Sequence, residues 1–215
     1  MKSNIIASVT GTKGSGKTYL VREQIIPILL KDKIYGDIII LDPIKDNFNE
    51  GLVFPSVRDY LSFVKEGREN DSRLFTIKID NIADYELALS YFRQAQKNCV
   101  LILEELSIVD NPRSENPDLS HIARIGRHWG TSVIGITQRP ANVGTTFRSQ
   151  VDFPIIFSIK KTRDIEEYRG FTDQYKKIQQ LSKKEHEFTI LGRDMMPTDF
   201  TKLTNLKTFK TLSEL

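Results

Sequence analysis

The sequence predicts an α/β fold, a mostly parallel central sheet with helices on both faces. Three observations carry that prediction. Short, wholly apolar runs recur along the chain, Val100 to Leu103 among them. Helical patterns lie between those runs, and strands this apolar belong in a sheet covered on both sides. A glycine-rich turn, Gly-Thr-Lys-Gly-Ser-Gly-Lys-Thr at residues 11–18, joins the first apolar run to the first helical one. The 215 residues suffice for one such domain with a full core and are short for two. We expect one domain over residues 1–197 and a C-terminal tail over 198–215.

Taken in order, Ile5 to Thr10 reads as a buried strand and Tyr19 to Leu30 as a helix. Asp37 to Leu41 is an apolar run ending at Asp42-Pro43. Arg68 to Arg73 is polar and charge-rich, which suits a surface loop. Leu74 to Ile79 alternates as a strand, and Ile82 to Gln96 is helical in pattern. After the run at Val100 to Leu103, Asp118 to Trp129 reads as a helix and Ser132 to Thr137 as a strand. Pro154 to Ile159 is a further apolar strand, and Glu187 to Leu191 a late edge strand. In a parallel sheet of this kind, function gathers at the carboxyl ends of the strands.

The turn at 11–18 is a complete GxxxxGK[ST] phosphate loop, set between strand and helix. Its glycines let the backbone curl, so that Gly11, Thr12, Lys13, Gly14, Ser15 and Gly16 can aim N–H groups at phosphate oxygens. The helix that starts near Gly16 adds its positive dipole end. Lys17 reaches the β- and γ-phosphates, and the Thr18 hydroxyl ligates Mg²⁺. ATP and Mg²⁺ are therefore the expected cofactors. The apolar run from Cys99 ends in two carboxylates, Glu104 and Glu105, and looks like a Walker B motif. The first acid of that motif holds the metal and the second polarises the attacking water. Glu104 is assigned to Mg²⁺, although the usual residue is the shorter Asp, and Glu105 to the water. Gln138 follows the strand at Ser132 to Thr137. A carboxamide there offers donor and acceptor together, to the γ-phosphate and to the lytic water.

Composition excludes several classes. Hydrophobic content of 39% and charged content of 27% describe an ordinary globular protein. No apolar run approaches the ~18 residues that span a bilayer. Met1 to Asn4 lead straight into the first strand, with no room for a signal peptide. Cys99 is the single cysteine, so no intrachain disulfide forms and a reducing, intracellular compartment is expected. A net charge of +3 is compatible with a polyanionic partner but too small to argue for one. His121, His128 and His186 lack metal-ligand spacing and read as surface or packing residues.

Residues 122–140 run Ile-Ala-Arg-Ile-Gly-Arg-His-Trp-Gly-Thr-Ser-Val-Ile-Gly-Ile-Thr-Gln-Arg-Pro. An arginine-bearing helix, an aromatic-Gly step, an apolar strand and Thr-Gln-Arg-Pro together resemble the FtsK–HerA superfamily of DNA-pumping ATPases. Asp42-Pro43 and Leu191-Gly192-Arg193-Asp194-Met195 fit the same pattern, so the resemblance covers residues 4 to 195. It implies a RecA-like (ASCE) P-loop NTPase fold and ATP hydrolysis coupled to movement of double-stranded DNA. It also implies assembly into a ring, a hexamer by expectation, with an arginine finger supplied by a neighbouring subunit. The resemblance places that finger on the helix before Gln138, which leaves Arg124 and Arg127 on nearly one helix face. Arg127 is favoured because it lies nearer the helix end; Arg139 and Arg148 are runners-up. The compact size is most similar to genome-packaging ATPases of tailless, internal-membrane viruses. That likeness implies capsid or portal-vertex proteins as partners and the host cytoplasm or virion vertex as location. For DNA contact, the basic run Lys160 to Arg163 is the first candidate and the polar loop Asn142 to Arg148 the second.

Other readings stay open at this level. Filamentous-phage assembly and conjugative-coupling ATPases share these motifs but normally carry a membrane segment. A small-molecule phosphotransferase would not need Gln138, and Glu105 argues against a non-hydrolysing nucleotide-binding protein. In the tail, Phe200, Leu203, Leu206, Phe209, Leu212 and Leu215 recur at every third position. That period fits an extended path along an apolar groove, on its own domain or on the neighbouring subunit, and a short helix with a loose core face or a frayed end is the alternative.

Overall fold

The computed structural model describes residues 4–31, 35–67, 71–95 and 97–192. The tail at 198–215 lies outside the described residues, as do Gln96 and Arg193 to Met195.

Eight strands build one sheet: β1 (Ile6–Thr10), β2 (Asp37–Asp42), β3 (Leu52–Phe54), β4 (Leu74–Lys78), β5 (Cys99–Leu103), β6 (Ser132–Thr137), β7 (Phe153–Phe157) and β8 (Phe188–Ile190). Their order is β3-β4-β2-β5-β6-β1-β7-β8. The pairs from β3 through β7 are parallel, and β8 closes the edge antiparallel to β7. The strands β4 to β7 are buried along their whole length, as expected of a sheet covered on both faces. Side chains alternate between two cores. Ile38 and Ile40 meet Leu20, Val21, Ile25 and Leu29 on one face. Ile39 and Leu41 meet Tyr60, Tyr85, Leu89 and Leu119 on the other. A smaller cluster around Ile156, Ile165, Tyr168 and Ile178 covers the edge beside β8.

The first face is covered by one rod made of α1 (Lys17–Leu20), a π-helical turn Val21–Ile25 and α2 (Ile26–Lys31). The expected helix is therefore present, with a widened turn in its middle. The other helices are α3 (Val57–Glu66), α4 (Ile82–Ala95), α5 (Pro117–Ile125), α6 (Thr145–Gln150) and α7 (Thr162–Glu166). The order of strands sets the site. β6 lies between β1 and β5, so the residue after β6 emerges between the phosphate loop and the acid pair.

Several elements depart from the expectations. β3 and α3 had no counterpart, although Ser56 accepts from Asp59 N at 3.3 Å as a helix cap and Gly67 stops the helix at φ 94°. Residues 142–148 are not a polar loop: α6 begins at Thr145, and Val143, Phe147 and Val151, four apart, bury themselves in the second core. The run Lys160 to Arg163 is not all loop either, because Thr162 and Arg163 open α7. The expected helix at 118–129 ends at Ile125, and a tighter 3₁₀ turn, Gly126–His128, follows. Arg124 and Arg127 thus sit on two different kinds of turn. No described helix is long and apolar enough to cross a membrane.

Candidate nucleotide site

The phosphate loop leaves β1 and enters α1 through three glycines with φ of 151°, 73° and 104° at Gly11, Gly14 and Gly16. Only glycine adopts such values freely. At Gly11 space decides as well, since a Cβ would lie 2.6 Å from Phe157 Cβ. Thr12 N donates to Ser158 O at 3.1 Å, tying the loop to the end of β7. Lys17 is buried, and its Nζ donates to Gly11 O at 2.9 Å and Thr12 O at 3.1 Å. Burial pulls its pKa below the ordinary lysine value, opposed by the charges of Glu104 and Glu105. The hydroxyls of Thr12, Ser15 and Ser158 are buried without a hydrogen-bond partner among the described residues. Buried polar atoms normally have partners, so this cradle is suited to a polar occupant.

The acid pair ends β5. Glu104 N donates to Leu41 O at 3.1 Å, continuing the ladder, while its carboxyl is 3% exposed. Glu104 Oε1 accepts from Asn47 Nδ2 at 2.9 Å, and Oε2 has no partner among the described residues. Burial pushes the Glu104 carboxyl up to about 7, with Asn47 working against it and Asp42 and Glu105 adding to it. An acceptor of this kind, near Lys17 at the start of the helix α1 that also carries Thr18, fits a divalent cation bound to phosphate. Glu105 takes the left-handed conformation at φ 46°. A non-glycine residue holds that conformation at a cost of about 1–2 kcal/mol. Ser107 Oγ donates to Glu105 Oε1 at 2.9 Å, and Gln138 Nε2 donates to Glu105 Oε2 at 3.1 Å. The structure thus brings Lys17, Glu104, Glu105 and Gln138 together, from three strand ends.

The arginines divide. Arg139 Nε donates to buried Asp164 at 3.2 Å, and Arg148 pairs with Glu167, so both runners-up are engaged within the chain. Arg124 Nη2 donates to Thr146 Oγ1 at 3.3 Å. Arg127 is exposed and makes no hydrogen bond or ion pair with a described residue. Lys160 Nζ donates to Gln179 O at 2.8 Å, so it serves the fold, whereas Lys161 and Arg163 are exposed.

Sequence reasoning missed a support layer. Asp42 is fully buried; its carboxylate accepts from the N–H groups of Ile44, Lys45 and Phe48 and from Lys78 Nζ at 3.0 Å. That network shapes the loop that delivers Asn47 to Glu104. The Asp42-Pro43 step was legible as a motif, but Lys78 and Asn47 carried no local signal. His186, read as a packing or surface residue, lies against the phosphate loop: a Cβ on Gly16 would be 3.3 Å from its Nδ1.

Residues 1–189 match the family model described as Poxvirus A32 protein. The chain belongs to that family. No curated protein sequence matches this A32-family chain significantly. Among solved structures it is similar to the genome packaging NTPase B204 of Sulfolobus turreted icosahedral virus 2 in complex with ATP-gammaS. That match has 20% identity, a TM-score of 0.69, and covers 91% of this chain and 100% of B204. The same protein in complex with sulfate gives 21% identity and a TM-score of 0.69 over 90% of this chain and 94% of that one. VirB4 of Thermoanaerobacter pseudethanolicus gives 12% identity and a TM-score of 0.57, over 92% and 91% of the two chains. At these identities the structures establish the fold, a RecA-like P-loop NTPase. Family, fold and motifs together make the A32-family chain a P-loop ATPase of FtsK–HerA type.

Proposed function

We propose that this chain is the ATPase of a viral genome-packaging motor, a ring that moves double-stranded DNA into a capsid by hydrolysing ATP. The single observation that carries hydrolysis is the 3.1 Å contact between Gln138 and Glu105, beside the phosphate loop. A reporter carboxamide on the catalytic carboxylate lets the state of the γ-phosphate reach the base that activates water. The cargo rests on the A32 family and on the likeness to a packaging NTPase.

The residues divide the work as follows. The N–H groups of residues 11–16 and Lys17 hold the phosphates and offset their charge. Thr18 and Glu104 would hold Mg²⁺, which would supply further positive charge beside the phosphates. Glu105 takes the proton of the attacking water, and Gln138 orients that water. Arg127 of one subunit reaches the γ-phosphate held by the next, so that turnover depends on assembly. DNA passes through the ring and is gripped at its phosphates rather than its bases.

Steady-state ATPase, with and without linear duplex DNA, tests the reading. Duplex DNA of any sequence should stimulate the wild type, and Lys17→Ala should abolish both rates. Hydrolysis untouched by duplex DNA would overturn the cargo, and absence of hydrolysis would overturn the enzyme.

A further inference from the structure

A pocket of ≈530 Å³ opens beside the phosphate loop, lined by Gly16, Tyr19, Gln24, Phe157, His186 and Phe188 among others. Its size falls in the range of small-molecule sites. Gly16 belongs both to the pocket and to the loop, so the pocket adjoins the place where phosphates would rest. The walls are flat and apolar. The Phe157 and Phe188 rings lie 5.1 Å apart, and Tyr19 stands at the rim with 63% of its surface exposed. Gln24 brings the one carboxamide to this lining.

Two backbone features mark the elements that carry these side chains. Gln24 sits on the π-helical turn, a widened geometry that recurs at functional sites. His186 holds φ 54°, uncommon for a residue with a side chain. Its turn is fixed by Glu187 N donating to Ser182 O at 3.0 Å and Ser182 N donating to Glu187 Oε2 at 2.8 Å. This turn leans over the phosphate loop at two points. His186 lies against Gly16, and Lys183 Cε would be 3.8 Å from a Cβ on Gly14.

We propose that this pocket takes the purine base of the nucleotide and that Gln24 makes it selective for adenine. The inference rests on the phosphate-loop reading and deepens it. A carboxamide matches adenine, accepting from the N6 amino group while donating to N7. Guanine carries an oxygen where adenine carries that amino group, so one of the two bonds is lost and two acceptors face each other. The aromatic rim stacks on either purine, and Gln24 tells them apart.

Equilibrium binding of ATPγS and GTPγS to the full chain tests this. Wild type should prefer ATPγS. Gln24→Leu, which keeps the shape and loses both bonds, should weaken ATPγS by roughly tenfold and change GTPγS little. Lys17→Ala should weaken both alike and keep their ratio. If Lys17→Ala behaves so while Gln24→Leu keeps the wild-type ratio, the base inference falls and the phosphate reading stands. If Lys17→Ala binds both nucleotides as wild type does, the phosphate reading falls with it. Tyr19→Ala, an exposed change, should weaken both purines; unchanged affinity for both would overturn the stacking wall. Photolysis of 8-azido-ATP on the full chain should label the peptides carrying Tyr19, Gln24 or His186. Labelling confined to other peptides, as when the chain's own tail or another subunit fills the pocket, would overturn the proposal.

Discussion

Glu104 and Glu105 are adjacent in the chain and opposite in environment. Glu104 is buried with one oxygen that has no partner among the described residues, whereas Glu105 is half-buried and accepts from two donors. That contrast suits the proposed division into a metal-holding acid and a water-activating one. Glu105→Gln should keep ATP binding and lose hydrolysis by roughly 10²-fold or more. A normal rate in Glu105→Gln with loss in Glu104→Gln would reverse the assignment. Glu104 also gives a pH signature in metal-free protein. Its folded value of about 7 lies above the ordinary 4.5, so the folded chain keeps a proton that the unfolded chain releases. Stability from this group is full below about pH 4.5, falls as pH rises towards 7 and is level above. Glu104→Gln should remove that slope and raise stability at pH 8 by up to about 3 kcal/mol. Urea unfolding with chelator at pH 5 and pH 8 measures it, and a wild-type slope in the variant would place the titration elsewhere. Lys17, Thr18, Glu104, Glu105 and Gln138 could be singled out as candidates because each closes or opens an element with a strong local pattern. Asn47 was not, because its partner lies 57 positions away and nothing near it is periodic.

At the scale of elements, the chain after β5 ties the acid pair to the arginine-bearing turn. Asp110 is buried, and its carboxylate accepts from Asn116 N at 2.8 Å and Gly144 N at 3.0 Å. Asn116 caps α5, and Gly144 precedes α6. One side chain therefore fixes the starts of both helices relative to β5. Burial raises the Asp110 carboxyl above the ordinary range, against the pull of those two N–H groups. Asp110→Ala should leave two buried donors unsatisfied and destabilise the fold by roughly 2–4 kcal/mol. A denaturant midpoint equal to wild type would show that water replaces the carboxylate. The long strands and helices of the domain were legible from apolar runs and helical periods. β3, with three residues, gave no run to read, and α6 was hidden among turn-forming residues around Asn142 and Gly144. Its burial is decided by Phe147 against the second core, a tertiary contact that outweighs local propensity.

At the scale of the whole molecule, the described chain gathers Lys17, Glu104, Glu105 and Gln138 beside the phosphate loop, and no arginine is seen to join them. Lys17 is drawn back onto the loop carbonyls, Arg139 and Arg148 are paired, and Arg127 faces outward without a partner among the described residues. In the proposed ring, an exposed arginine on one copy would be free to meet the nucleotide site of the next. Lys160 donates to Gln179 O, so the proposed DNA contact is left to the exposed Lys161 and Arg163. Charge reversal at these two positions should cut DNA stimulation and leave basal hydrolysis unchanged; intact stimulation would move the DNA surface elsewhere. The trans assignment has a sharper test. Arg127→Ala alone should bind ATP and turn over roughly 10³-fold more slowly, as for other arginine fingers. Glu105→Gln alone should also be slow. A mixture of the two places, at some interfaces, an intact Arg127 from one variant against an intact Glu105 from the other. Activity should therefore reappear on mixing, and it should rise with protein concentration as rings assemble. A mixture no more active than its two components, at a concentration where sedimentation shows mixed assemblies, would mean that Arg127 acts within its own subunit or not at all.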